Sequence, residues 1–118
     1  MKLFRLAIMS DPLDRIRSGR KPVEGRLASS RMDPAPGDRL EFRLKGNDGD
    51  PDLTAEVLTV RRYPDFATMV EAEGADHLGY PEMDAQALTT LYRKIYWYPG
   101  AEARRGVQAI EIKPVADD

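Results

Sequence analysis

The stretch Ser18-Gly19-Arg20-Lys21-Pro22-Val23-Glu24-Gly25-Arg26-Leu27 decides how the chain reads. It places four charges of both signs within the seven positions 20–26. Stability alone is a poor reason for so dense a cluster, because an exposed ion pair contributes about 0–1 kcal/mol. Gly19 is expected to end a short helix, since glycine takes the left-handed cap conformation without strain. Pro22 cannot donate to a sheet ladder, which fits the first position of a strand or an edge strand. From Pro22 onward the side chains alternate between faces. Glu24 and Arg26 then share one face, and Val23, Gly25 and Leu27 take the other. Lys21 sits in the turn, free to swing over the charged face. A lysine, a carboxylate and a guanidinium are thereby aimed at one small volume.

Outward from this stretch the pattern is regular. Residues 2–8 read as a strand with apolar residues on both faces, which predicts a central position. Asp11 and Pro12 read as the N-cap and first position of a helix that carries Leu13 and Ile16 inward. Residues 29–36 form a serine- and proline-rich loop. Residues 39–44 alternate, with Leu40, Phe42 and Leu44 inward. The polar turn at 45–51 makes 39–60 a hairpin. Alternation slips between Val57 and Leu58, which predicts a bulge that bends the strand. Asp65 is expected to cap a helix carrying Phe66, Met69 and Val70 and ended by Gly74. Asp84 caps the longest helix, whose Leu88, Leu91, Tyr92 and Ile95 make a core-facing stripe. That helix ends in Tyr96-Trp97-Tyr98-Pro99-Gly100. Residues 107–112, apolar on both faces, read as a central strand, and Asp117 and Asp118 as a solvated tail. The order β-α-β-β-β-α-α-β predicts an α+β fold, a small curled sheet with helices at its ends. A chain of 118 residues without an internal linker or repeat is expected to be one domain, 1–118.

Composition narrows the function classes. No cysteine is present, so disulfides, thiolate metal sites and a cysteine nucleophile are excluded. The single histidine, His77, reads as a loop residue, and one histidine does not make a zinc site. No metal and no cofactor are expected. The start Met1-Lys2-Leu3-Phe4-Arg5-Leu6 lacks the apolar length of a signal peptide or membrane span, which points to the cytoplasm and to no membrane partner. A net charge of −2 argues against coating duplex DNA. Residues 15–31 nevertheless hold six basic groups against one acid. A focused basic patch on an acidic body suits a small polar ligand.

The pattern Gly19-x-Lys21-x-x-Glu24-x-Arg26 resembles the G-x-K-x-x-E-x-R signature of ASCH domains. The likeness extends to the N-terminal strand, the short helix, the turn Pro36-Gly37-Asp38 and the closing strand. It implies a small β-barrel similar to the PUA fold of RNA-modifying enzymes, and recognition of RNA or a modified nucleoside. Some members of similar size hydrolyse N(4)-acetylcytidine to cytidine; others are described as ribonucleases. The acetylcytidine hydrolases use a lysine, a threonine three residues later and a glutamate beyond the hairpin. Lys21 matches the lysine, Glu24 stands where the threonine would be, and Glu82 is the choice for the later glutamate over Glu71 and Glu73.

The residues themselves support such chemistry. A lysine near other cations, here Arg20 and Arg26, loses proton affinity and can act near neutrality. A carboxylate such as Glu24 can take a proton from water. Lys21 and Glu24, with Glu82 as the later glutamate that the resemblance implies, are the catalytic candidates, and Arg20, Arg26, Ser29, Tyr96 and Trp97 the substrate-binding ones. Tyr96, Trp97 and Tyr98 cannot all face inward from consecutive positions, so one is free to stack on a base. The same residues also fit a plainer reading: a salt network at the barrel rim, a surface acid at a helix start, and aromatics closing the barrel end. Two readings follow, an amidohydrolase acting on N(4)-acylated cytidine or a related modified nucleoside, and, as the alternative, a non-catalytic RNA-binding module or a ribonuclease using the same basic cleft. The sequence leaves the oligomeric state open.

Overall fold

The computed structural model describes residues 1–97 and 100–116. Its elements are β1 (Leu3–Ile8), α1 (Ser10–Arg17), β2 (Val23–Leu27), β3 (Arg39–Leu44), β4 (Leu53–Tyr63), α2 (Phe66–Glu73), α3 (Ala85–Ile95), α4 (Ala101–Arg105) and β5 (Val107–Pro114). The expectations for Tyr98, Asp117 and Asp118 lie outside the described residues.

One sheet takes all five strands in the order β1-β3-β4-β5-β2. β1 runs parallel to β3, and the other neighbours are antiparallel. The register of β4 against β5 shifts between Val57 and Thr59, where the broken alternation predicted a bulge. Bulges sharpen local twist, and this one bends the 11-residue β4 so that the sheet curls into a half-barrel. β5 is central, as its apolar faces predicted. β1 is not: it is an edge strand, and Leu3 is exposed. Phe4, Leu6 and Ile8 face the core, and of the second apolar face Leu3 is exposed while Ala7 borders a cavity at that edge.

Alternation along β5 divides the core. Val107 and Ala109 pack with Val23, Phe66, Met69, Leu88 and Tyr92 under α2 and α3. Ile110 and Ile112 pack with Leu13, Ile16, Leu40, Phe42 and Val57 under α1. Each fully buried side chain of this size contributes about 1.5–3 kcal/mol. Glu24 pairs across the strands with Ile110, so it points to the α1 side, while Val23 points to the other.

Helix ends follow local chemistry with two corrections. Asp65 and Asp84 cap α2 and α3 as expected, each accepting from a backbone N–H at 2.7 Å. Gly19 lies just past α1 with φ +82°, in the conformation that stops it. Asp11 is not the N-cap of α1. The helix starts at Ser10 after Met9, and Asp11 sits in its first turn, bonded to Arg15 at 3.0 Å. Proline is tolerated through that turn because its N–H groups have no helical partner anyway. The five-residue α4 went unread in the sequence, being too short for an apolar period. Its Glu102 fixes it by accepting from the Phe66 N–H and pairing with Arg93 at 3.0 Å.

Candidate active site

The two edge strands, β1 and β2, face each other across an open seam, and a cavity of about 340 Å³ fills it. Ala7 and Ile8 come from β1, and Lys21, Glu24 and Arg26 from the charged stretch. Tyr80 joins from the loop between α2 and α3, and Leu91, Tyr92 and Ile95 from α3. Arg26 bridges the seam: its Nη2 donates to the Ala7 carbonyl at 3.0 Å and lies 3.5 Å from Glu24 Oε2.

Lys21 is held far more tightly than a turn residue. It is 2% exposed, and Glu24 is 6% exposed. Lys21 Nζ donates to the Leu78 carbonyl at 2.8 Å and lies 3.7 Å from Glu24 Oε1. It also sits 5.1 Å from the centre of the Tyr80 ring. The expectation of a lysine free to swing is therefore corrected. The segment Leu78-Gly79-Tyr80 clasps it with a carbonyl, a close backbone approach and an aromatic face. That segment is itself pinned to β2, because Val23 N–H donates to the His77 carbonyl at 3.1 Å.

Burial holds the Lys21 ammonium below its ordinary value of 10.5. Glu24 opposes the shift, while Arg26 and Arg15 add to it. Arg20, expected to contribute, does not: it is exposed and bonded to Ser18 Oγ at 3.0 Å. Burial also pushes Tyr80 up to about 12 and raises Tyr92 further in the same direction, so both phenols stay neutral donors.

The lysine shift sets a pH dependence of stability. Below the lowered pKa, Lys21 is charged in both states and contributes no slope. Above it and up to about 10, where unfolded tyrosines begin to ionise, the unfolded chain binds more protons. Unfolding free energy should therefore rise with pH in that window. Lys21→Met should flatten the rise in denaturant titrations across that range. An equal slope in both proteins would mean the lysine is not desolvated in the fold.

The structure brings together Lys21, Glu24, Arg26 and Tyr96, and leaves the other candidates elsewhere. Glu82 is exposed and bonded to Arg15 at 2.5 Å, which turns it away from the cavity and toward α1. Ser29 lines a different cavity. Trp97 is 69% exposed and does not border the seam. Leu91 packs against the core as predicted and also borders the cavity, whereas Ile95, predicted to face the core, is exposed at the cavity rim. Sequence reasoning missed the clasp at 78–80 and the cavity role of Tyr92. The glycine at 79, set between a leucine and a tyrosine in a loop, was the available signal.

Two buried polar atoms here have no partner, the Tyr92 hydroxyl and Arg26 Nε. Among the described residues no three histidine, aspartate or glutamate side chains cluster in a way that could hold a metal ion. No helix there is long and apolar enough to cross a membrane.

A mixed half-barrel with short helices and a charged pair in its open seam is the architecture of a PUA-like α+β domain. The ASCH domain model matches residues 6–116, and the chain belongs to the ASCH domain family, for which RNA-binding or hydrolase roles are proposed. The crystal structure of the hypothetical protein PH0355 matches with a TM-score of 0.81 at 30% identity, covering 98% of this chain and 100% of that one. The solution structure of PF0455 from Pyrococcus furiosus matches with a TM-score of 0.75 at 28% identity, covering 98% and 99%. An ASCH protein from Zymomonas mobilis shares the fold, with a TM-score of 0.63 at 20% identity, over 96% of this chain and 70% of that one. No curated protein matches the chain.

Proposed function

We propose that the chain is a small amidohydrolase that removes the acyl group from N(4)-acylated cytidine or a related modified nucleoside. One observation supports this above the others: two unpartnered buried polar groups, Tyr92 Oη and Arg26 Nε, belong to side chains lining the cavity of the Lys21–Glu24 pair. Leaving a buried polar group unsatisfied costs about 1–3 kcal/mol, so such groups favour a partner that the fold itself does not supply, a water or a ligand.

The chemistry follows from the geometry. Glu24 takes a proton from a water molecule, and the water oxygen bonds to the acyl carbon. Tyr92 and Arg26 donate to the oxyanion that develops there. The carbon–nitrogen bond breaks, and Lys21 passes its proton to the departing N(4) nitrogen and regains one from Glu24. The hydroxyl of water ends on the acyl group and its proton on the amine. A lowered lysine pKa suits this transfer near neutral pH. The test is incubation with N(4)-acetylcytidine followed by chromatography: cytidine should accumulate, and unchanged substrate would refute the reading.

Tyr92→Phe separates a ligand donor from a core filler. It removes only the unpartnered hydroxyl, so the fold should be as stable or slightly more so. Turnover efficiency should fall about tenfold, the worth of one neutral hydrogen bond to the transition state. Unchanged efficiency would remove Tyr92 from the site.

One observation favours a second reading, the non-catalytic RNA-binding module. Glu24 is the only carboxylate lining the seam cavity among the described residues, and no second glutamate joins it. Binding without turnover, weakening steeply with salt, would support that reading.

A further inference from the structure

The basic run at 15–31 does not act as one patch. Arg15, Arg17, Lys21 and Arg26 each have a carboxylate within 4 Å. Positive charge gathers instead around a second, larger cavity of about 680 Å³ beyond the end of β2. Arg31 from the following loop, Arg62 from β4 and Arg105 from the end of α4 line it, with Ser29, Ser30 and Asp33. Arg62 pairs with Asp33. Among the described residues neither Arg31 nor Arg105 has an ion-pair or hydrogen-bond partner.

Three guanidinium groups therefore share one concavity with a single carboxylate. Like charges repel, and among the described residues no second carboxylate lines the cavity to offset the excess. The wall carrying Arg31 is also fixed. The buried Gln108 donates to the Met32 carbonyl at 2.9 Å, and Met32 N–H donates to Ser29 Oγ at 2.9 Å. Guanidinium forks match tetrahedral oxyanions with paired hydrogen bonds, which a scattered surface charge does not provide. Cross-strand pairing puts Arg26, Gln108 and Arg62 in one row, so both cavities open from the same face of the sheet. Two residues separate Arg26 from Ser29, a span of about 10 Å along an extended chain, within the reach of one ligand.

We propose that the cavity between Arg31, Arg62 and Arg105 is a phosphate-binding site, so that a nucleotide or oligonucleotide binds more tightly than the neutral nucleoside. The choice of a nucleotide as carrier rests on the function proposed above; the anion site does not.

The test is a salt series of binding titrations with a labelled single-stranded decaribonucleotide, in the natural protein, in Arg31→Ala/Arg105→Ala and in Lys21→Met. Three cation–phosphate contacts give a log–log salt slope of about −2 for single strands. The double variant should show about −0.7 and weaker binding at low salt. Lys21→Met should keep the full slope. Competition by cytidine 5′-monophosphate would assign the site to a terminal phosphate, and competition by longer strands alone to a diester. No binding at low salt, an equal slope in the double variant, or loss of the slope in Lys21→Met would overturn the proposal. None of these readouts requires hydrolysis, so failure of the enzymatic reading leaves the result interpretable.

Discussion

Glu24→Gln is expected to lower turnover of N(4)-acetylcytidine by about 10²–10⁴ while substrate binding stays nearly intact. Glutamine keeps the size of the side chain and cannot accept a proton from water. The fold should survive, because both cations around Glu24 have other partners. Lys21 still donates to the Leu78 carbonyl at 2.8 Å, and Arg26 to the Ala7 carbonyl at 3.0 Å. Steady-state kinetics beside thermal melts decide the matter. A loss of stability with little kinetic change would make Glu24 a structural partner of Lys21 and Arg26. Glu24→Thr sharpens the result, since threonine is the residue that the resemblance to acetylcytidine hydrolases leads one to expect there. A gain in rate with threonine would assign Glu24 to binding, and inactivity of both variants would support direct water activation by the glutamate.

Gly79→Ala should destabilise the protein by about 2–5 kcal/mol and disable the cavity together with it. The first part of the cost is the backbone: Gly79 has φ +91°, a region that costs an L-residue about 1–2 kcal/mol. The second part is contact. A Cβ there would lie 2.5 Å from both Cβ and Cγ of Lys21 and 3.0 Å from its Cα. The Lys21 stem cannot retreat without moving the backbone that aims it at Glu24. Gly37→Ala is the control, because Gly37 has φ +93° and open space around the added atom. Denaturant melts of the two variants should differ by the contact alone, about 1–3 kcal/mol. Equal losses would mean that Gly79 serves the turn and not the lysine.

Most of the fold was legible because it is written in short-range signals. Asp65 and Asp84 announce helix starts, Gly19 a helix end, and the slip at Val57 a bulge. The seam was not legible. Which strands are edges depends on pairing between residues far apart, and a strand with apolar residues on both faces reads alike whether it is buried or borders a cavity. β1 shows this, since Ala7 borders the cavity from an edge. The site was half legible for the same reason. Lys21, Glu24 and Arg26 lie within one strand and its approach, where alternation fixes who faces whom. Glu82 could not be judged locally: only the packing of α1 against the 78–82 loop shows that Arg15 takes it. Nor does any spacing rule connect Leu78, Gly79 and Tyr80 to a lysine 57 positions away from the carbonyl it reaches.

In the mechanism proposed here the buried Lys21–Glu24 pair hydrolyses an acyl–nitrogen bond with water. The most direct measurement is a reaction of the natural protein with N(4)-acetylcytidine in water labelled with the heavy oxygen isotope, read by mass spectrometry beside Lys21→Met. Unlabelled cytidine and acetate carrying one heavy oxygen are expected from the natural protein, and neither product from the variant. Labelled uridine, equal products from the Lys21→Met variant, or no product from the natural protein would contradict it.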